Sequence, residues 1–92
     1  MSTTVTRSLK IVNQKGLHAR ASAKLVEVVE GFDASAEVSK DGMSASGDSI
    51  MGLLMLAAAK GSTIDVETSG PDAEPLAAAI EALVVDKFGE GN

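Results

Sequence analysis

A single histidine stands in Gly16-Leu17-His18-Ala19-Arg20, just after a glycine turn and just before apolar residues at helical spacing. That placement predicts an imidazole and a guanidinium at a helix N-terminus. The first N–H groups there have no intrahelical partner, and the dipole favours negative charge. The chemistry this suits is the holding of an anion, above all a phosphoryl group on His18. Neutral imidazole is the nucleophilic form and is accessible near pH 7. Once phosphorylated, the ring carries an anion that the helix end stabilises by roughly 0.3–1 kcal/mol. The guanidinium of Arg20 can offer that anion a forked pair of donors, which a lysine does less well. A group that must be passed on has to be held this modestly.

A second residue type with chemical potential is Ser49, in Gly47-Asp48-Ser49-Ile50. Its first expected role is as an N-cap, worth about 1 kcal/mol over alanine. The four residues are also similar to the nucleophile block of GDSL-type serine hydrolases. Such an enzyme needs a histidine base held by an acid. The one histidine lies upstream of Ser49, and none follows it. The stronger alternative to a phosphoryl site is a pure interaction module in which His18 is idle.

Composition narrows the classes further. Ninety-two residues, 45% hydrophobic and 23% charged, fit one soluble domain with a modest core, spanning 1–92 with flexible ends at 1–4 and 89–92. Only Phe32 and Phe88 are aromatic, so base stacking is unavailable and nucleic-acid binding is not expected. There is no cysteine, so neither a disulfide nor a thiolate metal site can form, and one histidine builds no zinc site. No metal or cofactor is expected. The longest apolar stretch, 53–59, is too short to cross a membrane, and a cytoplasmic protein is expected. The net charge of −5 is unevenly spread: residues 1–26 carry five basic side chains and no acid, while all thirteen acids lie beyond. A cationic patch around one imidazole suits a small anion or an acidic partner surface.

The elements that must position these residues follow from periodicity. Alternation from Val5 to Asn13 predicts a strand with Leu9 and Ile11 inward. Ala19 to Glu30 has helical spacing, with Gly31 as a C′ residue. Ala34 to Ser39 is a second strand, Asp41-Gly42 a hairpin turn, and Met43 to Ser46 the returning strand. A helix is expected from Ile50 to Lys60, closed by Gly61, then a strand around Ile64 to Thr68. Asp72 is expected to cap a last helix that presents Leu76, Ile80, Leu83, Val84 and Lys87 on one face. The order β-α-β-β-α-β-α predicts an α+β domain with its helices on one side of an antiparallel or mixed sheet. In the second helix, Leu53 and Leu56 facing the core leave Ile50, Met51 and Leu54 outside as a candidate docking patch.

Gly16-Leu17-His18-Ala19-Arg20, followed by Ser49-Ile50-Met51, resembles the phosphocarrier HPr family of the bacterial phosphoenolpyruvate-dependent phosphotransferase system. The resemblance extends from about Val5 to Phe88. Gly31-Phe32-Asp33-Ala34, Leu53-Leu54-Met55-Leu56 and Ala59-Lys60-Gly61 look more like its nitrogen-related branch, NPr. The resemblance implies an open-faced sandwich of three helices on a four-stranded antiparallel sheet. It implies phosphorylation of His18 through Nδ1, with Arg20 and the backbone of Ala19 and Arg20 holding the group. The donor would be an enzyme I-type protein and the acceptor a IIA-type protein, with the chain a monomeric, stoichiometric carrier rather than a turnover enzyme. Ile50, Met51 and Leu54 would dock these partners. Ser49 would be a regulatory site for an HPr serine kinase/phosphorylase, and other regulatory proteins could read the phosphorylation state. The family motif usually carries proline after the arginine; here Ala21 keeps the helix without presetting φ.

Overall fold

The structure is a computed structural model that describes residues 3–90. Met1, Ser2, Gly91 and Asn92 fall outside the described residues, and with them part of the expectation of flexible ends. Four strands and three helices follow the expected order: β1 (Thr3–Lys10), α1 (Ala19–Glu30), β2 (Ser35–Lys40), β3 (Met43–Ser46), α2 (Ile50–Met55), β4 (Thr63–Gly70) and α3 (Ala73–Val85). A 3-10 turn, Lys87–Gly89, follows α3. The sheet is wholly antiparallel in the order β1-β4-β2-β3, with Val66 of β4 opposite both Arg7 of β1 and Val38 of β2. The chain thus forms the α+β open-faced sandwich.

Strict alternation makes the sheet two-faced. In β4, Ile64, Val66 and Thr68 are buried while Thr63, Asp65 and Glu67 are exposed. The buried row meets Leu25 and Val29 of α1, Leu53 of α2 and Leu76, Ile80 and Val84 of α3 in one core. Arg7 extends from β1 to α3, pairing with Glu74 at 2.9 Å and with Glu81. The hairpin turn is as expected: Asp41 and Gly42 both take positive φ, 51° and 83°, the pairing a tight two-residue turn requires.

Several details differ from expectation, two of them because of contacts distant in the chain. β1 stops at Lys10, although Ile11 stays buried and still exchanges backbone hydrogen bonds with Gly61 and Ser62. α2 ends at Met55 rather than Lys60. Ala57 turns left-handed at φ 52°, and this brings the Ala58 carbonyl to the Leu17 N–H at 2.8 Å. Helix propensity in the alanine run yields to that contact. Gly31 occupies the end of α1 with φ −82°, so no left-handed glycine terminates the helix. Asp72 holds the N-cap position of α3, but its side chain makes no capping bond; its carboxylate accepts from the Asp33 N–H at 2.8 Å and clasps the α1–β2 corner to the start of α3. Lys87 leaves the α3 face, because the chain turns left-handed at Lys87, Phe88 and Gly89.

Candidate functional site

The tip of α1 is built by the loop from Ile11 to His18. Gly16 takes φ +66° and lies so close to α2's trailing segment that an added Cβ would sit 2.4 Å from the Ala58 carbonyl oxygen. Both facts require glycine there. Leu17 is buried, and its carbonyl accepts from the Ser22 hydroxyl at 3.3 Å. His18 is the N-cap residue, extended at φ −79° and ψ −177°, and its carbonyl accepts the Ser22 N–H at 2.8 Å. That is the first helical bond of α1, so the N–H groups of Ala19, Arg20 and Ala21 precede it and have no helical partner. The His18 side chain makes no capping bond to them. The start of α1 is therefore an uncapped helix tip with an imidazole at its mouth.

His18 stands between two shallow hollows. One, of about 230 Å³, is lined by Lys15, His18, Arg20, Lys24, Gly89 and Glu90. The other, of about 310 Å³, is lined by Lys15, Leu17, His18, Leu54 and the three alanines Ala57, Ala58 and Ala59. The first places three cations, Lys15, Arg20 and Lys24, and one carboxylate, Glu90, in the same hollow as the ring. The second continues the apolar surface of α2 to the ring's edge. The imidazole itself is about a quarter exposed (26%), so an approaching group can reach it.

The ring is also engaged. Its Nε2 is hydrogen-bonded to the Glu90 carboxylate, whose other oxygen accepts from Asn13 Nδ2 at 3.0 Å. Asn13 is fully buried and spends its second amide hydrogen on the Gly16 carbonyl at 2.7 Å. The hydrogen bond from His18, and then that from Asn13, holds the Glu90 carboxyl below its ordinary value. Lys24 donates to the Phe88 carbonyl at 2.6 Å, tying the turn after α3 to α1. Sequence reading missed this group: 89–90 fell in a stretch expected to be loose, and Asn13 was read only as a strand position. Isolated Glu and Asn residues carry no spacing signal that would have found them.

Of the expected docking residues, Met51 is 72% exposed and Ile50 40%, while Leu54 is half-buried at the hollow beside His18. Leu53 and Leu56 face the core as expected. Met55, 67% exposed, belongs to the same surface and was not singled out. Ser49 caps α2, its Oγ accepting from the Gly52 N–H at 3.0 Å. With Ser49 Oγ on Gly52 and His18 Nε2 on Glu90, no serine–histidine pair forms, and the hydrolase reading loses its geometry. Among the described residues no helix is long and apolar enough to cross a membrane.

Comparison with known proteins agrees with this geometry. The family described as PTS HPr component phosphorylation site matches residues 5–86. The chain is 46% identical to the phosphocarrier protein HPr of Cupriavidus necator, covering 92% of this chain and 96% of that one. It is 43% identical to the phosphocarrier protein NPr of Escherichia coli, covering 95% and 98%. The crystal structure of an HPr from Thermoanaerobacter tengcongensis superposes with a TM-score of 0.89 at 32% identity, covering 94% and 97%. Fold, uncapped helix tip and relatives converge: the chain belongs to the HPr family of phosphocarrier proteins, with both HPr and NPr among its relatives.

Proposed function

We propose that this protein takes a phosphoryl group onto His18 Nδ1 from the phosphohistidine of an enzyme I-type donor and passes it to a IIA-type acceptor. The observation that carries this reading is the uncapped start of α1, with a reachable imidazole at its mouth. Nε2 faces Glu90, which leaves Nδ1 as the nitrogen for the phosphoryl group. The free N–H groups of Ala19 and Arg20, and the guanidinium of Arg20, supply donors to its oxygens. Transfer needs an in-line approach of donor and acceptor, and positioning supplies most of the rate. A shallow site serves that need, since the partner's own nitrogen must reach the phosphorus.

Ile50, Met51 and Leu54 form the docking surface for both partners, continuous with the apolar hollow at the ring. Ser49 is the site of regulatory phosphorylation by an HPr serine kinase/phosphorylase. A phosphoserine brings roughly −1.5 to −2 charge at pH 7, which the α2 tip tolerates but which would repel acidic partners from the neighbouring surface. The protein acts as a cytoplasmic monomer and a stoichiometric intermediate. The test is incubation with enzyme I, magnesium and phosphoenolpyruvate, followed by intact mass. Wild type gains one acid-labile, alkali-stable phosphoryl group, and His18→Ala gains none. An equal gain in both would remove His18 from the mechanism.

A further inference from the structure

We propose that Glu90 is a positioning residue for this transfer: its carboxylate holds the proton on His18 Nε2, fixing Nδ1 as the lone-pair nitrogen. The inference rests on the phosphocarrier reading above and concerns a residue beyond the family match, which ends at 86.

The carboxylate of Glu90 and the turn that carries it are both held in place. Buried Asn13 grips one carboxylate oxygen and is itself pinned to the Gly16 carbonyl, so the carboxylate is referenced to the same turn that sets His18. Lys24 of α1 holds the Phe88 carbonyl, two residues before Glu90. Phe88, fully buried, anchors the turn in the core. That turn runs left-handed at Lys87, Phe88 and Gly89, with φ of 56°, 55° and 76°. Non-glycine residues adopt this conformation only where the surroundings impose it.

The chemistry follows from where the proton stays. A carboxylate accepts and does not donate, so the ring nitrogen facing it carries the hydrogen. In the acceptor state Nε2 is protonated and Nδ1 presents its electron pair. On attack, the Nδ1–phosphorus bond forms as the donor's nitrogen–phosphorus bond breaks, and that electron pair returns to the donor nitrogen. The His18 ring then bears the phosphoryl group on one nitrogen and a proton on the other, and is cationic. Glu90 stands beside that cation, across the ring from the phosphoryl oxygens. In onward transfer the Nδ1–phosphorus bond breaks, its electron pair stays on Nδ1, and the neutral ring is restored. No proton leaves or joins the chain in either step. A carboxylate that orients an imidazole and steadies its cationic form has the same logic in nucleophile–base pairs.

The charged groups around the pair are Lys15, Arg20 and Lys24, which share the hollow with His18 and Glu90. They lie where they can balance the phosphoryl charge, while among the described residues Glu90 is the carboxylate that faces Nε2.

Two readouts test the proposal on the full chain. In nitrogen-15-labelled protein without phosphate, a slowly exchanging His18 Nε2–H signal is expected in wild type and Glu90→Gln, and its loss in Glu90→Ala. In single-turnover transfer from phosphorylated enzyme I, Glu90→Ala should slow uptake about ten-fold, the scale of one charge-assisted hydrogen bond at a partly exposed site. Glu90→Gln, which keeps the acceptor but not the charge, should keep the ring signal yet stay slow. A purely structural role would spare Glu90→Gln in both. The proposal is overturned if the wild-type ring N–H exchanges as freely as in Glu90→Ala, or if Glu90→Ala takes up phosphate at the wild-type rate. Failure of wild type itself to accept phosphate would instead strike the phosphocarrier reading.

Discussion

The N-termini of α1 and α2 solve one problem in opposite ways. At α2 the orphan N–H groups are met locally: Ser49 Oγ accepts from Gly52, three residues on. At α1 the cap position holds His18, whose ring makes no capping bond, and the first N–H groups stay open. The α2 tip is finished from within four residues of sequence. The α1 tip is held by the rest of the molecule, through Gly16 against Ala58, Asn13 bonded to Gly16, and the segment after α3 through Phe88 and Glu90. A helix end that completes itself is a structural device. One left incomplete, yet braced from several distant places, is available for a ligand.

Breaking the brace should cost most. Phe88 is wholly buried, and Phe88→Ala is expected to lose about 3–5 kcal/mol of stability in chemical denaturation. It should also release Glu90 and slow phosphoryl uptake in the fraction that remains folded. Gly16→Ala comes next. The left-handed backbone alone costs about 1–3 kcal/mol, and the added Cβ would collide with the Ala58 carbonyl. A fall in Tm with loss of the Leu17–Ala58 hydrogen bond, read by amide exchange, checks it. Ser49→Ala removes only the local cap of α2 and should cost about 1 kcal/mol, measured by the same denaturation series. The smallest effect is one of pH. Because Glu90 is held below its ordinary value, its stabilising contribution is full above the ordinary carboxylate range. It is lost as pH falls through the lowered value. The Tm difference between wild type and Glu90→Gln should therefore be largest above about pH 5 and close toward more acid pH.

The same contrast explains what the sequence disclosed. The α2 cap was legible because Ser49 and Gly52 act over three residues, and the Asp41-Gly42 turn was legible for the same reason. Alternation in β4 and the 3.6-residue spacing of α1 revealed the sheet's buried face and the helix that meets it. His18 was legible because a glycine, a lone imidazole and an arginine fall at a helix start. What stayed hidden depends on residues far apart in the chain. α2 was expected to reach Lys60, and it ends at Met55 because Ala58 must turn to meet Leu17. Asp72 stands at the N-cap of its own helix as expected, but its carboxylate holds Asp33 instead of the helix N–H groups. Glu90 lies 72 positions from His18, in a stretch with no periodicity, and only the folded chain brings the two together.

The two tips can be separated in one measurement. Wild type, Ser49→Ala and His18→Ala are each incubated with enzyme I, magnesium and phosphoenolpyruvate, and the phosphoryl gain is read by intact mass. Wild type and Ser49→Ala should each gain one acid-labile group, and His18→Ala none. A gain on His18→Ala, or its loss from Ser49→Ala, would contradict the assignment of the transfer chemistry to the open tip of α1.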